Sequence, residues 1–231
     1  QIQPSARTVQ GEIEKALTII AKIPVSVTGA GRTDSGVHAV GQHFHFDFSV
    51  SMSCSQIVKA LRTKLPHDID VTKIQEAPSD FHARYDACSR TYRYIITKQP
   101  TPFDRKYKSR FTFSKLNVES MNKCCSYFLG KYDFFSFSKF NPDIKSTICH
   151  LQNLNIQESA NDIVIELKAD RFLHNMVRRI VGTIVNITDK ELNPEIILKL
   201  IEDKTTENKL ISTAPPTGLY LWDVGYPADK L

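Results

Sequence analysis

Apolar positions recur at helical spacing near the start of the chain. Val9, Ile13, Leu17 and Ile20 share one face, Thr8 stands where an N-cap belongs, and Pro24 closes the segment. VSVT (25–28) predicts a short strand leading into a glycine-rich turn. In HFHFDF (43–48), Phe44, Phe46 and Phe48 alternate with His43, His45 and Asp47, which predicts a strand with one buried face. SQIVKALRTKL (55–65) predicts a second amphipathic helix, stopped by Pro66. DIDVTKIQEA (68–77) alternates again, TYRYIIT (91–97) is aromatic and β-branched, and both are predicted strands. KQPTPFDRKYKSR (98–110), with two prolines and clustered charge, is the best linker candidate. Beyond it the pattern predicts helices over 117–129, 173–187 and 194–203, and strands over 147–158, 161–169 and 218–224. The helix over 173–187 carries Val177, Ile180, Val181 and Ile184 as its stripe. The chain therefore reads as two α+β halves, 1–104 and 105–231, with a cleft between them as the place for a site.

Composition sharpens this only a little. The chain has 231 residues, 41% hydrophobic and 24% charged, which suits a globular protein with a real core. No apolar run approaches the roughly 20 residues of a membrane span, and the start lacks a basic-then-apolar leader, so the cytoplasm is the default compartment. Five cysteines without CxxC spacing predict buried, reduced thiols rather than a disulfide framework or a zinc site. A net charge of +5 tilts mildly toward a polyanionic partner.

The densest chemistry lies in GAGRTDSGVHA (29–39). Glycines at 29, 31 and 36 permit unusual backbone geometry and close approach of a ligand. Their spacing does not match the dinucleotide fingerprint, a strand rather than a helix is predicted to follow, and no Gly-Lys-Ser/Thr appears, so phosphate cradling in either familiar form is disfavoured. A plain turn with Asp34 bonding its own backbone remains the competing reading. His38, His43 and His45 are conceivable metal ligands, but histidines on an alternating strand are more often packing or surface residues.

Several segments together carry a resemblance. GRTDSGVHA (31–39) resembles the G-R-T-D-x-G-V-H-A signature of the TruA family of tRNA pseudouridine synthases. TVQGEIEKAL (8–17), GQHFHF (41–46), FHARYDA (81–87), TYRYII (91–96), YDFFSF (132–137), FLHNMVRRIVGT (172–183) and GLYLWDVGYP (218–227) follow in the family's order. The resemblance spans nearly the whole chain, which starts at Gln1 after the position of the family's first strand.

The resemblance implies an α+β fold. Its two similar halves form a central mixed, mostly antiparallel sheet flanked by helices. It implies a cofactor-free, metal-free isomerase that converts uridine to pseudouridine at positions 38–40 of the tRNA anticodon stem-loop, and a homodimer that binds tRNA. Asp34 matches the family's catalytic aspartate, to act as nucleophile or base beside the sugar. Arg178 matches the arginine that pairs with it; a basic pair such as Arg178 and Arg179 cannot otherwise be separated by sequence. Arg32 matches an arginine implicated in displacing the target base. Tyr92 matches a tyrosine expected under that base, although period two puts Tyr94 on the same face. Leu219 matches an apolar pocket residue. His45, His82 and His174 also match. RNA contacts could come from Arg84, Arg90, Arg93, Lys139, Lys145 and Arg179, although such residues are more often solvated surface charges and none is assigned. The alternatives are a relative acting on other RNA sites, an inactive RNA-binding relative, and a metal-dependent hydrolase built on His38, His43 and His45.

Overall fold

The first predicted helix is α1, Val9–Ala21, and its N-cap is Thr8, whose side chain accepts from the Gly11 amide at 3.1 Å. Here and below the protein is described from a computed structural model, which covers residues 1–3, 5–111 and 116–230. Ile13, Ala16 and Leu17 face inward and pack with Ile57 and Leu61 of α2, Cys54–Lys64. Ser53 and Gln56 form a capping box at the start of α2.

The stretch after α1 is extended but is only partly a strand. β1 is Thr28–Gly29, and it pairs antiparallel with β3, Phe44–His45. Residues 25–27 are held by side chains of α1 instead of by a ladder. The Val27 amide donates to Glu14 Oε1 at 2.9 Å, Gln10 Nε2 donates to the Val27 carbonyl at 3.2 Å, and the Val25 amide donates to Thr18 Oγ1 at 3.1 Å. Phe44, Phe46 and Phe48 all pack on this core, as the alternation predicts, although only Phe44–His45 is laddered. The strand predicted over 68–77 is not formed. Val71 is buried and Ile69 and Ile74 pack beside it, but no pairing partner lies alongside among the described residues. Asp70 bonds Arg62 of α2 instead. Alternation reports one-sided burial, and burial here is achieved without a ladder.

A six-stranded mixed sheet dominates the rest of the described chain. Its members are β2 (His38–Ala39), β4 (Ser89–Thr97), β5 (Gly130–Asp133), β6 (Ile148–Glu158), β7 (Asp162–Ala169) and β8 (Leu219–Gly225), in the order β2-β8-β4-β7-β6-β5. The β2–β8 pair is parallel and all others are antiparallel. Tyr94 and Ile96 of β4, Ile163, Ile165 and Leu167 of β7 and Leu154 of β6 form one core with α3 (Val118–Cys125), α4 (Met176–Asp189) and α5 (Ile196–Glu202). The fold is thus α+β with a mixed, mostly antiparallel sheet. In α4, Ile180, Val181 and Ile184 are fully buried; burial of each contributes about 1.5–3 kcal/mol. The sequence places the start of this helix at 173. It begins at Met176 because Asn175 takes the left-handed conformation, φ 64°.

Contacts divide the chain into two units. One comprises Gln1–Arg32, Gln42–Ala87 and Tyr226–Leu231; the other comprises Thr33–Gly41 and Cys88–Gly225. None of the crossings falls within residues 98–110. That stretch belongs to the second unit, where the Ser109 amide donates to the Ile95 carbonyl and the Thr97 amide to the Ser109 carbonyl, both at 2.9 Å.

Candidate active site

Asp34 sits at the head of a tight turn. The Val37 amide donates to the Asp34 carbonyl at 3.1 Å, and Gly36, third of the four residues, has φ 80°. A turn closed this way favours glycine at that position, which accounts for one of the three glycines. β2 follows at once and zips onto β8, with the Val40 amide donating to the Leu221 carbonyl at 2.9 Å. The sequence reading missed this two-residue strand because VHAV is enclosed by the turn signals of Gly36 and Gly41. Its effect is to fix the Asp34 turn to the end of the large sheet.

Both carboxylate oxygens of Asp34 are engaged. Arg178 Nη1 donates to Oδ2 at 3.2 Å, and His174 Nε2 lies 3.3 Å from Oδ1. Asp34 therefore turns to the arginine of α4. The guanidinium is itself held, with Nε donating to the Ala214 carbonyl at 2.7 Å and Nη1 to Asn175 Oδ1 at 3.1 Å. The Ala214 amide returns a bond to the Arg178 carbonyl at 3.0 Å. The segment carrying Ala214 comes close enough because α4 has Gly182 there; a Cβ would lie 2.3 Å from the Ser212 carbonyl oxygen. With its side chain 16% exposed against 34% for Asp34, Arg178 is the buried member of the pair.

Arg179, one residue on, does something else. It is buried, and its guanidinium donates to the Ser138 carbonyl at 2.9 Å and the Thr206 carbonyl at 2.6 Å. Burial pushes its pKa below the usual arginine value. It is an internal clamp, so the expectation that it reaches RNA does not fit its position. Arg93 is also committed, to Glu166 at 2.7 Å and to the face of Trp222.

The two tyrosines of β4 separate clearly. Tyr94 is fully buried, and its hydroxyl bonds Ser109 Oγ at 2.6 Å and the Pro215 carbonyl at 3.0 Å. Tyr92 packs edge-on against Phe172, centroids 5.1 Å apart, beside a β-bulge at Thr91/Tyr92. Burial pushes its phenol up to about 12; Arg90 opposes the shift, and the charge of Asp34 adds to it, which places Tyr92 within electrostatic reach of that carboxylate. Leu219 is buried in the same core, opposite Tyr94 on β8. Arg32 is exposed at the entry to the turn.

The raised phenol makes a testable case. Its folded pKa exceeds the unfolded value of about 10, so the stabilisation is complete below pH 10 and is lost as pH rises through about 12. Phenolate absorbance should show Tyr92 and Tyr94 ionising near 12, with Tyr220 also raised by burial. Tyr92→Phe should remove one of them; a titration identical to the parent's would refute this placement.

His38 and His45 are engaged locally. His38 Nε2 donates to the Lys106 carbonyl at 2.7 Å, and the imidazole stacks between Tyr107 and Tyr220. In the other unit, His45 Nδ1 accepts from the Ala83 amide at 3.1 Å, and desolvation lowers its pKa. No group of three metal-ligating side chains forms among the described residues. Also among the described residues, no helix is long and apolar enough to cross a membrane. Gln10, Glu14, Asn175 and His174 are the residues that the motif reading undervalued. For the first two, a signal was available: polar side chains four apart on the face of α1 that meets VSVT.

Comparison with known proteins agrees with this geometry. A family described as tRNA pseudouridine synthase matches residues 1–86 and 124–227. A protein of Parabacteroides distasonis named tRNA pseudouridine synthase A is 39% identical over 230 residues, covering 99% of this chain and 90% of its own. Proteins of the same name from an Exiguobacterium species and from Bacillus subtilis are 38% and 37% identical, each covering 98% of this chain and 91% and 92% of their own. With a signature carboxylate seated on the arginine that the matching segment supplies, the chain belongs to the TruA family of tRNA pseudouridine synthases.

Proposed function

We propose that the chain isomerises uridine to pseudouridine in the anticodon stem-loop of tRNA, at positions 38–40, and that Asp34 is the group that acts on the ribose. The observation that carries this reading is the Asp34–Arg178 pair in the signature turn, beside Tyr92. The reaction breaks the bond from ribose C1′ to uracil N1 and makes one from C1′ to C5. The C5 proton is lost and N1 gains one, so the sum is an isomerisation. No electron acceptor and no activated group is consumed, and no cofactor is required.

In this reading Asp34 either attacks C1′, giving a sugar ester that the rotated base displaces, or removes a proton from the sugar. Arg178 holds Oδ2 and neutralises the ground state, while Oδ1, beside His174, is the oxygen offered to substrate. Tyr92 forms the floor under the uracil, with its phenol kept protonated by burial. Leu219 completes the apolar wall. Arg32, exposed and two residues before Asp34, takes the place vacated by the extruded base, since a guanidinium both stacks and bonds phosphate. The enzyme acts in the cytoplasm as a homodimer, with one tRNA leaning across both subunits.

Incubating unmodified tRNA transcripts with the protein and mapping pseudouridine by primer extension tests this. Modification at positions 38–40 is expected. Modification confined to other sites would replace the anticodon-arm assignment, and its complete absence would overturn the activity.

A further inference from the structure

We propose that the loop over residues 98–110 is a second RNA contact of this enzyme, one that takes an unpaired base on Phe103 and phosphates on Arg105, Lys106 and Arg110. The proposal rests on the tRNA reading above for the identity of the RNA. The loop was the linker candidate in the sequence, yet it connects no units and lies wholly within one of them.

It is a built loop. Asp104 Oδ1 accepts from the Thr101 amide at 3.1 Å and the Thr101 hydroxyl at 2.9 Å, and the Asp104 carbonyl accepts from the amides of Tyr107 and Lys108. Its inner side is fastened to the sheet. Tyr220 donates to the Tyr107 carbonyl at 2.8 Å, His38 donates to the Lys106 carbonyl, and Ser109 bonds the Thr217 carbonyl. Its outer side carries Phe103, 92% exposed, and Tyr107, 53% exposed. A phenylalanine so exposed on a fastened loop forgoes the burial an aromatic ring ordinarily finds.

Charge selects the occupant. The stretch holds Lys98, Arg105, Lys106, Lys108 and Arg110 against the single acid Asp104, whose carboxylate is spent within the loop. Lys98 and Lys108 pair with Glu158 and Asp162, so the positive excess of the stretch lies on the exposed Arg105, Lys106 and Arg110, of which Arg105 also donates to the Pro102 carbonyl at 2.6 Å. Cations interleaved with an accessible aromatic ring suit a nucleic-acid strand, which supplies phosphates at every step and bases that stack without sequence preference. His38 makes the placement functional: it lies four residues after Asp34, so one imidazole joins the Asp34 turn to this loop.

The test measures binding of an unmodified tRNA transcript across a salt series, with sedimentation velocity alongside. Phe103→Ala should weaken binding about 5- to 100-fold. The Arg105→Ala/Lys106→Ala double variant should lower the slope of log K against log salt by roughly 1.5. Both variants matching the parent in affinity and slope would overturn the proposal. So would a Phe103→Ala protein that loses self-association yet binds tRNA as the parent does, because the loop would then be a contact between copies of the chain. Pseudouridine formation on the same transcript is read separately: a parent that binds but does not modify it defeats the enzymatic reading, while the loop is judged on the affinities alone.

Discussion

Asp34→Asn should fold and bind tRNA yet form pseudouridine slower by about 10³- to 10⁴-fold, or below detection. Asparagine keeps the shape of the side chain and one oxygen for Arg178, so the turn and its β2 anchor stay as they are. What it removes is the charge. An amide can neither attack C1′ with useful strength nor accept a proton from the sugar. Single-turnover assays with saturating enzyme isolate this loss from binding. A rate within about tenfold of the parent would remove Asp34 from the chemistry altogether.

Arg178 and Arg179 should fail in opposite ways. Arg178→Ala leaves Asp34 without its guanidinium and should lower the modification rate by about 10²- to 10³-fold, with a modest loss of stability. Arg179→Ala takes two buried charge-assisted bonds from the Ser138 and Thr206 carbonyls and leaves a void. That should cost on the order of 3 kcal/mol, a fall of about 6–12 °C in Tm for a chain of this size. At a temperature where both variants are folded, Arg179→Ala should retain far more of the parent's rate than Arg178→Ala. Equal losses of rate, or a thermally neutral Arg179→Ala, would refute the division of labour.

The sequence could not make that division, because helical periodicity places adjacent residues about 100° apart without saying which side faces what. Only the resemblance singled out Arg178. The helices themselves were legible, since Thr8, Pro24 and the Val177–Ile184 stripe are local signals. β4, β6, β7 and β8 were legible for the same reason. DIDVTKIQEA misled because Val71 is buried by helix packing, and pairing depends on a neighbour that no local pattern reveals. VSVT misled in a related way: its partners are Gln10, Glu14 and Thr18, side chains of α1 instead of a strand. Tyr92 and Tyr94 looked equivalent from alternation. They differ because Ser109 and Pro215 occupy the Tyr94 hydroxyl, and both arrive from distant sequence.

The pairing of Asp34 with Arg178 spans 144 residues of chain. Closing so long an interval costs entropy that local structure cannot offset, and the β4–β7 ladder shortens it by gathering part of the intervening chain. Synthesis runs from the N-terminus, and the signature turn is therefore made long before its arginine exists. A nascent chain that has reached β7 already carries Gly31 to Ala39 in full and has no guanidinium to receive the carboxylate. Under the role proposed for Asp34, reactivity toward RNA would be tied to completion of α4, and the unfinished protein would carry its aspartate unarmed.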